Sequence, residues 1–399
     1  MNIIKNNLFL EFKKEVFFFF ILLVGLSSII ITNYVYIYEI DLSRQDSRNY
    51  ILLAENFNNY FLVQNQVAMR ILPSLLAGLL YKLQIFDIFG SFRFLTYFFF
   101  IMLLFKVFNF FLKFEIKPSL AFSFMLILIY QSHSVLYSIF NPYLLTDILV
   151  YFFSICILEA SIFKKKKKLF IFSLLLILTK EYTVILVVSA YIYYYFSEKN
   201  DERFLFFSLI TIMIAYIINL KLAGSLNVQD QKLNYLITEY FFDYKKYFNN
   251  SLECLIEKKN IFLLFPFLLF FLSKDFLITI KKFYPFFIYS FVPILISILI
   301  FSEIGNNFFR VYYQGYFIWI IFALVYLNLK FSDNFLFQNI LFFTPLFFLL
   351  DFIFIFFNFR QHGFFSFFQE TRYSYISSFY LFNFIIITML LMKWKKTKN

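Results

Sequence analysis

A few ionisable residues in this otherwise apolar chain have types that can carry out chemistry. Carboxylates such as Asp46 and Asp147 can take a proton from a hydroxyl or an amine within hydrogen-bond reach. Guanidinium groups such as those of Arg70 and Arg310 can bind phosphate oxygens in a bidentate fashion. Charged groups are rare between long apolar runs, where they pair with one another or mark a working cavity. These residues are therefore the candidates for a functional site.

The elements that position these residues are dictated by the composition. Of 399 residues, 62% are hydrophobic and 69 are Phe, whereas a soluble domain has about 45–50% apolar residues. A water-soluble fold cannot bury so much apolar surface, so the composition predicts an integral membrane protein. The net charge of +12 does not indicate nucleic-acid binding, because the basic residues lie between apolar runs, where they set membrane topology.

Crossing about 30 Å of hydrocarbon takes roughly 20 apolar residues in a helix, fewer where neighbours shield it. The predicted fold is an all-α polytopic membrane protein with about twelve transmembrane helices, and residues 1–399 form one transmembrane domain. The predicted spans are 16–36, 92–112, 119–138, 143–162, 168–180, 182–197, 204–222, 261–273, 284–302, 308–329, 335–357 and 374–392. Residues 67–83, interrupted by Pro73, are interpreted as a re-entrant or surface helix. Residues 42–60 have the periodicity of an amphipathic surface helix.

The positive-inside rule favours twelve crossings over thirteen. With both termini cytoplasmic, more than half of the basic residues fall in short inner loops and tails, including the run from Lys164 to Lys168. The two longest stretches between spans, 37–91 and 223–260, then lie outside. This topology places nearly all the unusual polar residues at the outer face. There, Asp41, Asp46, Arg70, Asp147, Lys180, Glu181, Asn307 and Arg310 can line one pocket.

Each of these residues also has a structural interpretation. Asp46 can be a solvated loop acid, and the two arginines can be anchors at the membrane interface. Asp147 begins a predicted span, where a carboxylate complements the helix N-terminus. Lys180 and Glu181 can form a self-paired couple that closes a tight outer turn.

Five short segments, in the same order along the chain, resemble C-type polytopic glycosyltransferases. That superfamily includes protein O-mannosyltransferases and the aminoarabinose transferases of lipid A. Asp46, Tyr50 and Ala54 resemble its D-x3-Y-x3-A signature in the first outer loop, although Ser47 stands where the best-known members have Glu. The other matching segments are Arg70-Ile-Leu-Pro73, Asn141 to Asp147, Leu178-Thr-Lys180-Glu181 and Gly305 to Arg310.

The resemblance implies transfer of a sugar from a polyprenyl-phosphate donor to an acceptor at the outer, periplasmic face of a bacterial inner membrane. The implied roles are Asp46 as base and Arg310 with Arg70 as ligands of the donor phosphate. The residues expected to support the acceptor or these groups are Asp41, Tyr50, Asp147, Lys180, Glu181 and Asn307. The acceptor is left open between a glycan, a lipid and a protein. The cofactor is also left open: a divalent metal is compatible with the chemistry, but no ligand cluster supports one.

Two other classes of protein compete with this interpretation. A transporter or lipid flippase commonly has helices broken by Gly or Pro at a midplane site, whereas this chain has only seven Gly and seven Pro. A polysaccharide polymerase or ligase also has many spans and outer arginines, but it does not have the early D-x3-Y-x3-A acid. The glycosyltransferase interpretation requires residues 42–83 to form surface helices.

Overall fold

The computed structural model describes residues 14–35, 45–56, 70–131, 135, 139, 145–180, 183–198, 201–224, 281–291 and 306–331. All regular secondary structure in these ranges is helical, which confirms the all-α class for the part of the chain described. The helices are α1 (Lys14–Val35), α2 (Gln45–Glu55), α3 (Ile71–Lys82), α4 (Ile88–Leu112), α5 (Pro118–Gln131), α6 (Leu145–Ile162), α7 (Lys166–Thr179), α8 (Val184–Ser197), α9 (Glu202–Gly224), α10 (281–291) and α11 (Asn306–Phe331).

The described helices divide into two compact units. The smaller unit contains α1, α5, the part of α4 from Leu104 onward and the end of α11. Within it, phenylalanine rings hold the helices together: Phe17 contacts Phe108 at 6.0 Å and Phe122 at 5.6 Å. The larger unit contains α2, α3, the first part of α4 and the helices from α6 to α10, together with α11 as far as Phe322.

Helix α6 is the core of the larger unit. Every residue from Leu145 to Ser161 is buried, as expected for a helix that is apolar on all sides. Phe152 contacts Phe99 of α4 at 5.5 Å, Phe153 contacts Phe172 of α7 at 6.1 Å, and Tyr151 contacts Phe317 of α11 at 4.8 Å. Helices α4, α7 and α11 therefore pack around α6.

Helices α6 to α9 run up and down with short connections, so their ends lie at two opposite levels. At one level the turn after α6 meets the turn after α8, where Lys164 pairs with Glu198 and Lys166 pairs with Asp201 at 2.5 Å. We call this level the lysine end. At the other level the start of α6 meets the end of α7 through Asp147 and Lys180, and we call it the aspartate end.

Ring contacts give the directions of α10 and α11. Phe283 near the start of α10 contacts Phe322 late in α11 at 4.6 Å, whereas Phe287 contacts Trp319 at 4.6 Å. These two helices are therefore antiparallel. Helix α11 runs parallel to α6, because residues 314 and 317 contact residues 147 and 151 in the same order.

Helices α2 and α3 form a close pair. A Cβ atom on Gly78 would lie 2.3 Å from the carbonyl oxygen of Ala54, so only glycine allows the two backbones to approach so closely. The Ser74 hydroxyl donates a hydrogen bond to the Tyr50 carbonyl at 3.3 Å. Helices thus occur within both segments predicted as surface helices, and α3 also packs against α6 and α7.

The number of membrane crossings is not shown by the described helices. Two of them, α4 and α6, are long and apolar enough to cross a membrane, as judged by length and composition. A buried core helix of a soluble protein meets the same two criteria, and α6 is buried along nearly all of its length. Helices α7 and α8 have 14 residues each, or about 21 Å at 1.5 Å per residue. The predicted spans 261–273, 335–357 and 374–392 lie outside the described residues.

Candidate functional site

A buried ion pair lies at the aspartate end. The Lys180 ammonium donates to Oδ1 of Asp147 at 2.9 Å, and the two side chains are 5% and 0% exposed. Asp147 is in the first turn of α6, where the helix dipole favours a carboxylate. A lone charge at this depth is very costly, but a hydrogen-bonded pair compensates most of that cost.

The backbone around Lys180 is fixed by its neighbours. Lys180 ends α7 in an extended conformation, with φ −160° and ψ 132°. The Thr183 hydroxyl lies 2.6 Å from the Lys180 carbonyl and 3.0 Å from that of Leu176, and it can donate to either. The Thr183 hydroxyl therefore ties the start of α8 to the end of α7, next to the lysine that pairs with Asp147.

Gln314 joins this pair from α11. Its Nε2 donates to Oδ1 of Asp147 at 3.2 Å, and its side chain is buried. Among the described residues its Oε1 has no hydrogen-bond partner. Arg310 lies one helical turn before Gln314. The network thus links α6, α7 and the helix that carries the predicted phosphate-binding arginine.

A second polar contact joins α2 to α3. Arg70, at the N-terminal boundary of α3, donates from one guanidinium nitrogen to the Tyr50 hydroxyl at 3.2 Å. Tyr50 is buried, whereas Arg70 is partly exposed. Asp46 precedes Tyr50 by one helical turn of α2. The predicted base and one predicted phosphate ligand therefore lie on helices that pack directly together.

The remaining predicted residues are placed less fully. Asn307 lies in the first turn of α11, three residues before Arg310. Asp41 and Glu181 lie outside the described residues. Tyr50, Asp147 and Lys180 make side-chain hydrogen bonds in two clusters, Arg70–Tyr50 and Asp147–Lys180–Gln314, and their role in supporting an acceptor stays a prediction.

The structure gives Lys180 a distant partner and adds one residue to the predicted set. Lys180 pairs with Asp147, 33 residues away, whereas the predicted couple with Glu181 falls on a residue outside the described part of the chain. Gln314 was not among the predicted site residues. Its only sequence signal is its position four residues after Arg310, where helical periodicity places a residue on the same face.

The described residues contain no group of three or more His, Cys, Asp and Glu side chains that could hold a metal ion. Comparisons with protein-family models, with curated proteins and with solved structures found no match.

Proposed function

We propose that this chain is a polytopic membrane glycosyltransferase that moves a sugar from a polyprenyl-phosphate-linked donor to an acceptor at the outer membrane face. The observation that carries the proposal is the contact between Arg70 and Tyr50 at 3.2 Å. It joins two segments that resemble motifs of this enzyme class but lie 20 residues apart. The close approach of Gly78 to Ala54 packs the two helices tightly, which favours the fixed geometry that a positioned active site requires.

The proposed reaction is a single displacement at the anomeric carbon. Asp46 takes the proton from the acceptor hydroxyl or amine as the acceptor atom forms its bond to that carbon. The bond from carbon to the phosphate oxygen breaks, and the phosphate leaves with the electron pair. Arg70 and Arg310 bind the phosphate oxygens and stabilise their growing charge. Direct attack inverts the configuration of the sugar.

Asp147, Lys180 and Gln314 are proposed as positioning residues. Because Lys180 neutralises Asp147 at 2.9 Å, neither charge is available as an isolated base or cation. Gln314 instead anchors α11 to α6 through Asp147. This bond holds the helical turn that carries Arg310 in a fixed register.

The proposed topology has twelve crossings of a bacterial inner membrane, with both termini in the cytoplasm and the aspartate end outside. It makes the fourth and tenth spans parallel, as α6 and α11 are. It makes the ninth and tenth spans antiparallel, as α10 and α11 are. It also gathers the lysine-rich turns at one level and the candidate site residues of α6 and α7 at the opposite level.

The test is deletion of the gene in the source organism, followed by mass spectrometry of surface glycans and of the lipid fraction. We expect one sugar to be missing from the glycans and a polyprenyl-phosphate sugar to accumulate. A complementing copy with Asp46→Asn should lose activity by about 100-fold or more, whereas Glu55→Gln on the exposed part of the same helix should complement fully.

Arg70→Gln and Arg48→Gln form a second matched pair, because Arg48 is exposed on α2. Only Arg70→Gln should reduce transfer, by about 100-fold or more. Full complementation by Asp46→Asn would show that Asp46 is not the base. Unchanged glycans and lipids in the deletion strain would overturn the transferase proposal itself.

A further inference from the structure

Helices α8 and α10 enclose an apolar groove on the side of the larger unit. Its volume is about 290 Å³, near the lower end of the range for small-molecule sites. The residues that line it include Val188, Ser189, Ile192, Tyr284, Pro285 and Ile288. The Ser189 hydroxyl donates within its own helix, to the Ile185 carbonyl at 2.8 Å. The groove thus presents an almost entirely apolar surface to an apolar chain.

The groove lies within an exposed apolar surface. Val188, Ile192 and Ile288 are 39%, 40% and 55% exposed. Beneath them the two helices are packed together, since Tyr193 contacts Phe286 at 5.1 Å. An exposed apolar surface of this kind marks a site of contact with a membrane or an apolar ligand.

The groove is polarised along its length. At the lysine end the rings of Phe196 and Tyr284 meet across it with their centroids 6.2 Å apart. Lys281 is exposed. It lies three residues before Tyr284 and four before Pro285, so it is on the same face of α10 as these two groove-lining residues. Lys282 is displaced around the helix, and its ammonium lies 5.5 Å from the centroid of the Phe283 ring.

We infer that this groove binds an anionic phospholipid, with one acyl chain between α8 and α10 and the phosphate headgroup at Lys281. The apolar lining matches the chain, the exposed cation at one end matches the phosphate, and the aromatic pair lies between them, at the level where such rings sit in a bilayer. The inference rests on the membrane location of the proposed function but not on its chemistry. The site faces the lysine end, opposite the candidate active site.

The experiment is native mass spectrometry of the full-length chain purified in detergent, titrated with phosphatidylglycerol or with phosphatidylcholine of the same acyl chains. We expect one phosphatidylglycerol to bind at least about fivefold more tightly than phosphatidylcholine. Lys281→Gln should abolish this preference, because a lysine near an anionic lipid surface contributes about fivefold in affinity. Lys282→Gln is the matched control and should retain most of the preference.

A second pair of variants tests the acyl-chain slot. Val188→Phe fills the groove and should weaken the binding of both lipids by at least about fivefold, whereas Ile214→Phe on the exposed side of α9 should leave it unchanged. Equal losses in Lys281→Gln and Lys282→Gln, unchanged binding in Val188→Phe, or full competition by soluble glycerol phosphate would each overturn the inference. The binding assay requires no transfer activity, so its result is distinct from that of the glycan test.

Discussion

At the scale of single residues, the ion pair between Lys180 and Asp147 predicts an asymmetry between single and double substitutions. Both side chains are buried and bonded at 2.9 Å, so removal of one deprives the other buried charge of this partner. We expect Lys180→Met or Asp147→Asn alone to destabilise the protein by about 3–5 kcal/mol. The double variant Asp147→Leu with Lys180→Met should recover most of that loss. Thermal unfolding of the purified proteins in detergent measures the change in stability of each single variant and of the double variant.

The same double variant distinguishes a role of the Asp147–Lys180 pair in positioning α11 from a role in protein stability alone. If Asp147 anchors α11 through Gln314, as the 3.2 Å hydrogen bond indicates, the double variant folds but transfers poorly. A folded double variant that fully restores the missing sugar would show that the pair acts only in stability.

Asp201 gives a residue-scale prediction for pH. Its hydrogen bond from Lys166 at 2.5 Å, together with one from the Tyr194 hydroxyl at 3.0 Å, holds the pKa of this carboxyl below its usual range. A carboxyl with a lowered pKa in the folded state stabilises that state above about pH 4 and loses this contribution as the pH falls further. The difference in Tm between wild type and Asp201→Asn should therefore shrink from pH 6 to pH 3. A constant difference across that range would contradict the assignment.

At the scale of elements, the approach of α2 to α3 depends on one glycine. In an exposed helix, Gly→Ala is stabilising by about 1 kcal/mol, but Gly78→Ala would bring a methyl group into the Ala54 carbonyl. We expect a net destabilisation of about 1–3 kcal/mol, because one of the two helices must shift. Leu79→Ala, on the exposed side of α3, is the control. An unfolding measurement that found Gly78→Ala stabilising would show that the helices separate easily.

The helices of the described part were predictable because long apolar runs leave the backbone few alternatives, whereas their ends were harder to place. Glycine is the usual signal for a helix C-terminus, but Gln84, Glu115 and Lys164 occupy the left-handed conformation at three such ends, with φ of 54°, 59° and 58°. At two of them the Ile85 amide bonds the Leu80 carbonyl and the Lys165 amide bonds the Ala160 carbonyl. The chain terminates helices with polar residues, so composition alone did not mark the boundaries.

At the scale of the whole molecule, the sequence singled out Tyr50, Asp147 and Lys180 as candidates but did not specify which residues they contact. Periodicity within one helix relates residues three or four positions apart, but Gln314 lies 167 residues from Asp147. No local pattern specifies such a contact, which depends on how α6 and α11 pack. The sequence likewise gives no sign that Lys180 pairs with Asp147, which lies 33 residues earlier.

The proposed topology predicts opposite accessibility for helix α2 and for the lysine end of the larger unit. Cys156 is buried in α6, and replacing it and Cys254 with Ala gives a background without reactive thiols. Single cysteines are then introduced as Arg48→Cys on α2 and Lys167→Cys at the lysine end, both at exposed positions. In intact spheroplasts a membrane-impermeant maleimide should label the first and not the second, and permeabilisation should allow both to react. The positive-inside rule predicts that the lysine run is cytoplasmic. Labelling of Lys167→Cys in intact spheroplasts would therefore show that the topology is inverted and that the candidate site lies at the cytoplasmic face.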